Sequence, residues 1–204
     1  TKIKKQNENL QNAYGQINLK GVTILTGNNG CGKSLIRKQL PFLFKKEYNL
    51  EDIKDTAGWI KSTSMDARTE SRPEFGALSS ALHDTSWIAT SQNTFSSIKG
   101  LINAIKTGKK VTKYLVIDEY EIGCGEETII ALAKYISENI QSLIEEKLIE
   151  GAMIITHSKL GLEHIAFDYF INLEGKTKHE WVNRKLEPTD LEKLAPNKLF
   201  FLIR

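Results

Sequence analysis

The stretch TGNNGCGKSLIRK, from Thr26 to Lys38, constrains this chain more than any other. It stands between an apolar run, GVTIL, and a charged amphipathic run, KSLIRKQL, so a strand has to turn sharply and enter a helix. Gly27, Gly32, Lys33 and Ser34 satisfy the spacing G-x-x-x-x-G-K-[ST]. At such a junction glycine-rich backbone turns its N–H groups inward around phosphate oxygens, and the helix points its positive end at the same anion. The phosphate contacts are therefore expected from the loop Gly27, Asn28, Asn29, Gly30, Cys31 and Gly32, with Lys33 reaching the outer phosphates and the Ser34 hydroxyl ligating magnesium. The competing reading is a flexible turn with a coincidental lysine.

Five apolar runs read as strands: Val22 to Leu25, Trp59 to Ser62, Tyr114 to Ile117, Met153 to Thr156 and Tyr169 to Leu173. They are nearly all apolar and do not alternate, the pattern of a mostly parallel sheet covered by helices on both faces, so the fold class is α/β. A late HEWVNR reads as an edge strand or hairpin arm. Between Glu126 and Glu150, Ile129, Leu132, Ile136, Ile140, Leu143 and Leu148 recur at helical spacing. The helix after the phosphate loop should end or kink at Pro41, which has no N–H for the helical ladder. The segment from Ser71 to Trp87 reads as part of a small helical insertion, at about 66–108, within a single domain spanning 1–204.

Two later strand ends carry chemistry. YLVIDEYE is four apolar residues followed by Asp118, suited to the metal side, and Glu119, placed to polarise an attacking water as general base. GAMIITHS ends in Thr156, His157 and Ser158, and a histidine at the carboxyl end of such a strand faces the ligand crevice of an open α/β sheet. A solvated loop start and a core or surface histidine are the plainer readings of each.

The ordered series GNNGCGKS, LVIDE and IITHS, across roughly Gly21 to Gly175, resembles the ABC class of P-loop ATPases, which includes transporter nucleotide-binding subunits and the Rad50, SMC and RecF ATPase heads. The resemblance implies binding and hydrolysis of ATP with magnesium held by Ser34 and Asp118, Glu119 as catalytic base, His157 as sensor of the terminal phosphate, and a head-to-tail homodimer around two ATP molecules. That dimer uses a signature serine, for which FSSIK is the nearest match although it lacks the glycines. Ser96 either fills that role at the start of an Ile98 to Ile105 helix or, with Thr94, only caps it. No glutamine clearly replaces the magnesium-sensing residue of the family; Gln92 falls late, and Ser64 and Asp66 are weak substitutes. Arg68 and Arg72 could approach phosphates or form a solvated face. Tyr120 stands where the family commonly has proline.

Composition narrows the setting. A net charge of +3 sets no strong case for nucleic acid, which stays a possible partner alongside protein. Two cysteines, Cys31 and Cys124, read as free thiols in a reducing cytoplasm. No apolar run reaches a bilayer-spanning length, and TKIKKQNENLQNAYGQ has no signal-like apolar core. The expectation is a compact soluble ATPase of the kind small phage genomes encode. The alternatives are a nucleotide-gated binding module with little turnover and a small-molecule phosphotransferase.

Overall fold

The structure is a computed structural model that describes residues 11–28, 30–63, 90–108 and 111–185. Five strands, β1 (Gly21–Thr26), β2 (Ile60–Thr63), β3 (Tyr114–Asp118), β4 (Gly151–Ile155) and β5 (Tyr169–Asn172), form one sheet in the order β2-β3-β4-β1-β5. Every neighbouring pair is parallel. The carboxyl ends of all five strands therefore share one edge. Because β4 lies between β1 and β3, its end emerges between the phosphate loop and the acid pair.

Strand pleating sorts these continuous apolar runs onto two faces. Leu25, Val116, Met153 and Ile155 pack on one side against Ile36, Leu40 and Phe44 of α1 (Lys33–Glu47). On the other side Ile24, Leu115, Ile117 and Ile154 meet α2 (Thr90–Lys106) and α3 (Glu126–Glu145). Ile98, Ile102 and Ile105 of α2 belong to that same core, so this part of the expected insertion packs directly on the sheet side of the domain. The segment Ser71 to Trp87, with Ser64, Asp66, Arg68 and Arg72, lies outside the described residues. Later in the described part are two short helices, α4 (Lys159–Leu162) and α5 (Lys178–Val182).

Local details differ from the sequence expectations for physical reasons. α1 does not stop at Pro41 but runs six residues beyond it to Glu47, because Leu40 and Phe44, on either side of the proline, are fully buried and hold both halves against the sheet. α3 ends at Glu145, where Lys147 adopts a left-handed φ of 58° and Leu148 donates back to the Leu143 carbonyl. HEWVNR is not a strand: Thr177 and Glu180 form a reciprocal capping box that starts α5, and Trp181 is buried against the core.

Candidate functional site

The glycine-rich loop after β1 adopts backbone that its glycines permit. Gly27, Gly30 and Gly32 have φ of 146°, 75° and 108°, and a Cβ on Gly27 would lie 2.7 Å from the Cys31 sulfur. α1 then begins at Lys33, with Gly32 at its N-cap, no side chain capping it and no acid in its first turn, which leaves its positive pole available to an anion. Lys33 is buried and folds back into the loop, where Nζ donates to the carbonyls of Gly27 and Asn28 at 3.1 Å each. Asn28, Gly30, Gly32, Lys33 and Ser34 form one wall of a cleft of about 940 Å³. Gly27 and Cys31 sit behind that wall, with burial pushing the Cys31 thiol pKa up, and Asn29 lies outside the described residues.

Glu119, Glu121, Ile122 and His157 form the facing wall. Glu119 carries a left-handed φ of 54°, a conformation costing a non-glycine residue on the order of 1–3 kcal/mol unless its surroundings hold it. Two contacts to the β4 end hold it here. Its N–H donates to the Ile155 carbonyl at 2.9 Å, and its Oε1 lies 3.2 Å from His157 Nε2. Glu121 grips the same histidine from the main chain, its Oε1 accepting the His157 N–H at 2.5 Å. Its Oε2 is buried and has no hydrogen-bond partner among the described residues. Tyr120 between them is fully buried beneath α4, and only a glycine at 161 leaves room for its hydroxyl.

Asp118 ends β3 deeper in the protein, where Arg37 Nη1 sits 3.2 Å from its Oδ2. Burial nonetheless outweighs that guanidinium and pushes the Asp118 carboxyl up to about 6. Arg37 was legible in principle, since it stands four residues after Lys33 and so shares its helical face.

A third wall was not anticipated: Lys159, Trp181 and Arg184. Asn172 organises the approach to it. Its amide donates to Thr26 Oγ1 while its carbonyl accepts the N–H groups of Glu174 and Lys176, and the loop so formed brings Glu174 to the Asn28 N–H at 2.9 Å. Ser96 is a correction in position. The described helix already begins at Thr90, so Ser96 lies exposed in the interior of α2 and not at a helix start, and Thr94 is buried there instead of capping. Ser96 is not among the cleft-lining residues, and neither is Gln92, exposed near the start of α2.

Among the described residues no group of three or more His, Cys, Asp or Glu side chains could hold a metal ion. A divalent cation would need oxygens of a bound phosphate in addition to Ser34 and Asp118. Among the described residues no helix is long and apolar enough to cross a membrane. The chain matches no protein-family model and no curated protein sequence.

Proposed function

We propose that this protein is an ABC-like P-loop ATPase that hydrolyses ATP to ADP and phosphate with magnesium. The observation carrying the reading is convergence: the ends of β1, β3 and β4 place Lys33, Ser34, Glu119 and His157 in one cleft. In open α/β sheets that edge is where ligands bind. The loop amides and Lys33 hold the phosphates, and Lys33 exchanges its carbonyl partners for phosphate oxygens. Glu119 takes a proton from water as the water oxygen bonds to the terminal phosphorus and the bond to the ADP oxygen breaks; His157, already hydrogen-bonded to Glu119, keeps the carboxylate oriented and senses the terminal phosphate. The residues suit magnesium, because Asp118 is a carboxylate at the end of β3 beside the loop and Ser34 is exposed in the cleft. Ser34 and Asp118 would hold magnesium, which would supply positive charge to offset that of the outer phosphates.

Lys33→Ala should abolish calorimetrically detectable ATP binding, and an unchanged dissociation constant would remove the phosphate-loop reading. Glu119→Gln should bind ATP normally but release phosphate at least about 100-fold more slowly. Ser96 lying inside α2 favours a second reading, a nucleotide-gated binding module, because the candidate signature serine is then not at a helix start where it would meet a partner's phosphate. That reading wins if wild type and Glu119→Gln are equally inactive while ATP still drives dimerisation. A phosphotransferase fits less well, since the Glu119–His157 pair suits activation of water. Phosphate release without an added acceptor separates the two.

A further inference from the structure

Arg184 is the cleft's least expected residue. It follows α5, yet its Nη1 crosses 156 positions of sequence to donate to the Asn28 side-chain oxygen at 3.0 Å. Glu174 lies on the other side, 3.8 Å from the same nitrogen, while also accepting the Asn28 N–H and pairing with Lys176 at 3.2 Å. Lys159 donates to the Arg184 carbonyl, fixing the main chain from which the guanidinium extends. Trp181, one turn earlier, is buried in the core and lines the same cleft.

The guanidinium is under-satisfied. It offers five N–H donors, but among the described residues only one acceptor, on Asn28, lies within hydrogen-bond distance; Glu174 is farther and already shared with Lys176 and Asn28. Such a group, partly shielded from water and facing a phosphate loop, suits a planar anion with several acceptor oxygens. Lys33 is already enclosed by the loop carbonyls, and Arg37 is committed to Asp118. Arg184 and Lys159 are the cationic side chains of the third wall, beyond the loop.

We propose that Arg184 binds the terminal phosphate of the nucleotide held in its own chain, and so selects a triphosphate over a diphosphate. The inference rests on the phosphate-loop reading above. When the nucleotide binds, the guanidinium keeps its Asn28 contact and gives its remaining donors to the outermost phosphate, which a diphosphate lacks.

The test is calorimetric titration with magnesium and either ADP or the non-hydrolysable β,γ-imido analogue of ATP. Arg184→Gln should weaken the triphosphate analogue by about 10- to 100-fold, the range of a charge-assisted hydrogen bond, and ADP by less than about 3-fold. Arg184→Lys, which keeps the charge without the planar fork, should recover part of the loss. Circular dichroism should show both variants folded, because the capping box of α5 lies upstream. Equal weakening of both nucleotides would make Arg184 only a clamp on Asn28 and overturn the proposal, as would no weakening of either. If Lys33→Ala leaves binding intact, the phosphate-loop reading fails. If Lys33→Ala abolishes binding but Arg184→Gln does not discriminate, only the present inference fails.

Discussion

Glu119 and Glu121 stand two residues apart on one turn and reach a single histidine, one at its ring and the other at its backbone N–H. Glu121 is therefore a positioning residue in the proposed chemistry. Glu121→Ala should lower kcat by about 10-fold with little change in KM, whereas Glu121→Gln, which keeps an acceptor oxygen, should restore most of it. Equal activity of both variants would leave Glu121 with no part in holding His157. Asp118 makes a separate statement about pH. Its folded carboxyl keeps a proton up to about pH 6, against an ordinary value of 3.8, so the folded state binds more protons than the unfolded one between those values. Stability from this group is fully present below pH 3.8 and falls as pH rises through 6. At about 1.4 kcal/mol per pH unit, ionised Asp118 lowers stability by roughly 3 kcal/mol at neutral pH. In nucleotide-free protein Asp118→Asn should raise the melting temperature at pH 7.5 by several degrees, less whatever the unpaired Arg37 takes back. The difference should shrink towards pH 4, and a difference independent of pH would assign it to another cause.

At the scale of elements, α4 matters through how closely it approaches the turn after β3. A Cβ on Gly161 would meet the Tyr120 hydroxyl at 1.7 Å and its ring carbon Cζ at 3.0 Å, and Tyr120 is fully buried with no room to swing aside. Gly161→Ala should destabilise by at least about 2 kcal/mol, read as a lower melting temperature, because overpacking a rigid core forces backbone shifts. Adding Tyr120→Phe should recover part of the loss by removing the clashing oxygen. No recovery would place the strain elsewhere. Ser158, whose hydroxyl accepts the Gly161 N–H, fixes the start of this short helix directly beside His157.

Across the whole molecule the two ends of the sheet differ in chemistry. Near the starts of the strands, Phe44, Tyr48, Trp59 and Tyr114 pack edge to face or stacked, and the Lys113 ammonium lies 4.2 Å from the Tyr48 ring centre and 2.5 Å from Glu150. Burial opposes the charge on Glu150, but Lys113 and Tyr48 outweigh it and hold its pKa below the usual range. The opposite end carries the buried Asp118, the left-handed Glu119 and the under-satisfied Glu121 and Arg184. The left-handed Glu119 and the incompletely satisfied Glu121 and Arg184 at this edge fit a surface that works by binding. If a second copy completes the site, Glu119→Gln with ATP and magnesium should double in mass by light scattering, while Lys33→Ala should remain monomeric. An ATP-saturated Glu119→Gln protein that stays monomeric at all concentrations would end the dimer proposal. DNA as a partner is tested by whether it stimulates hydrolysis and whether that effect weakens as salt rises.

The sequence by itself determined the five strands, the glycine-rich turn at the end of β1, and the positions of Asp118, Glu119 and His157 at later strand ends. These are local signals, since periodicity and glycine spacing act over a few residues. Even the all-parallel sheet was close to legible, because runs that are nearly all apolar, as in β1, β3 and β4, are buried on both faces. HEWVNR misled because its apolar residues are too few to show a period, and the Thr177–Glu180 cap with the buried Trp181 decided for helix. Only the tertiary structure decided which side chains meet around and beneath the cleft: Glu121 against His157 and Arg184 against Asn28 in its walls, and the Arg37–Asp118 pairing below them. The reason is that the residues of each pair lie tens to more than a hundred positions apart. Packing of the whole domain compensates the entropy of closing such loops, and no short stretch of sequence encodes that packing.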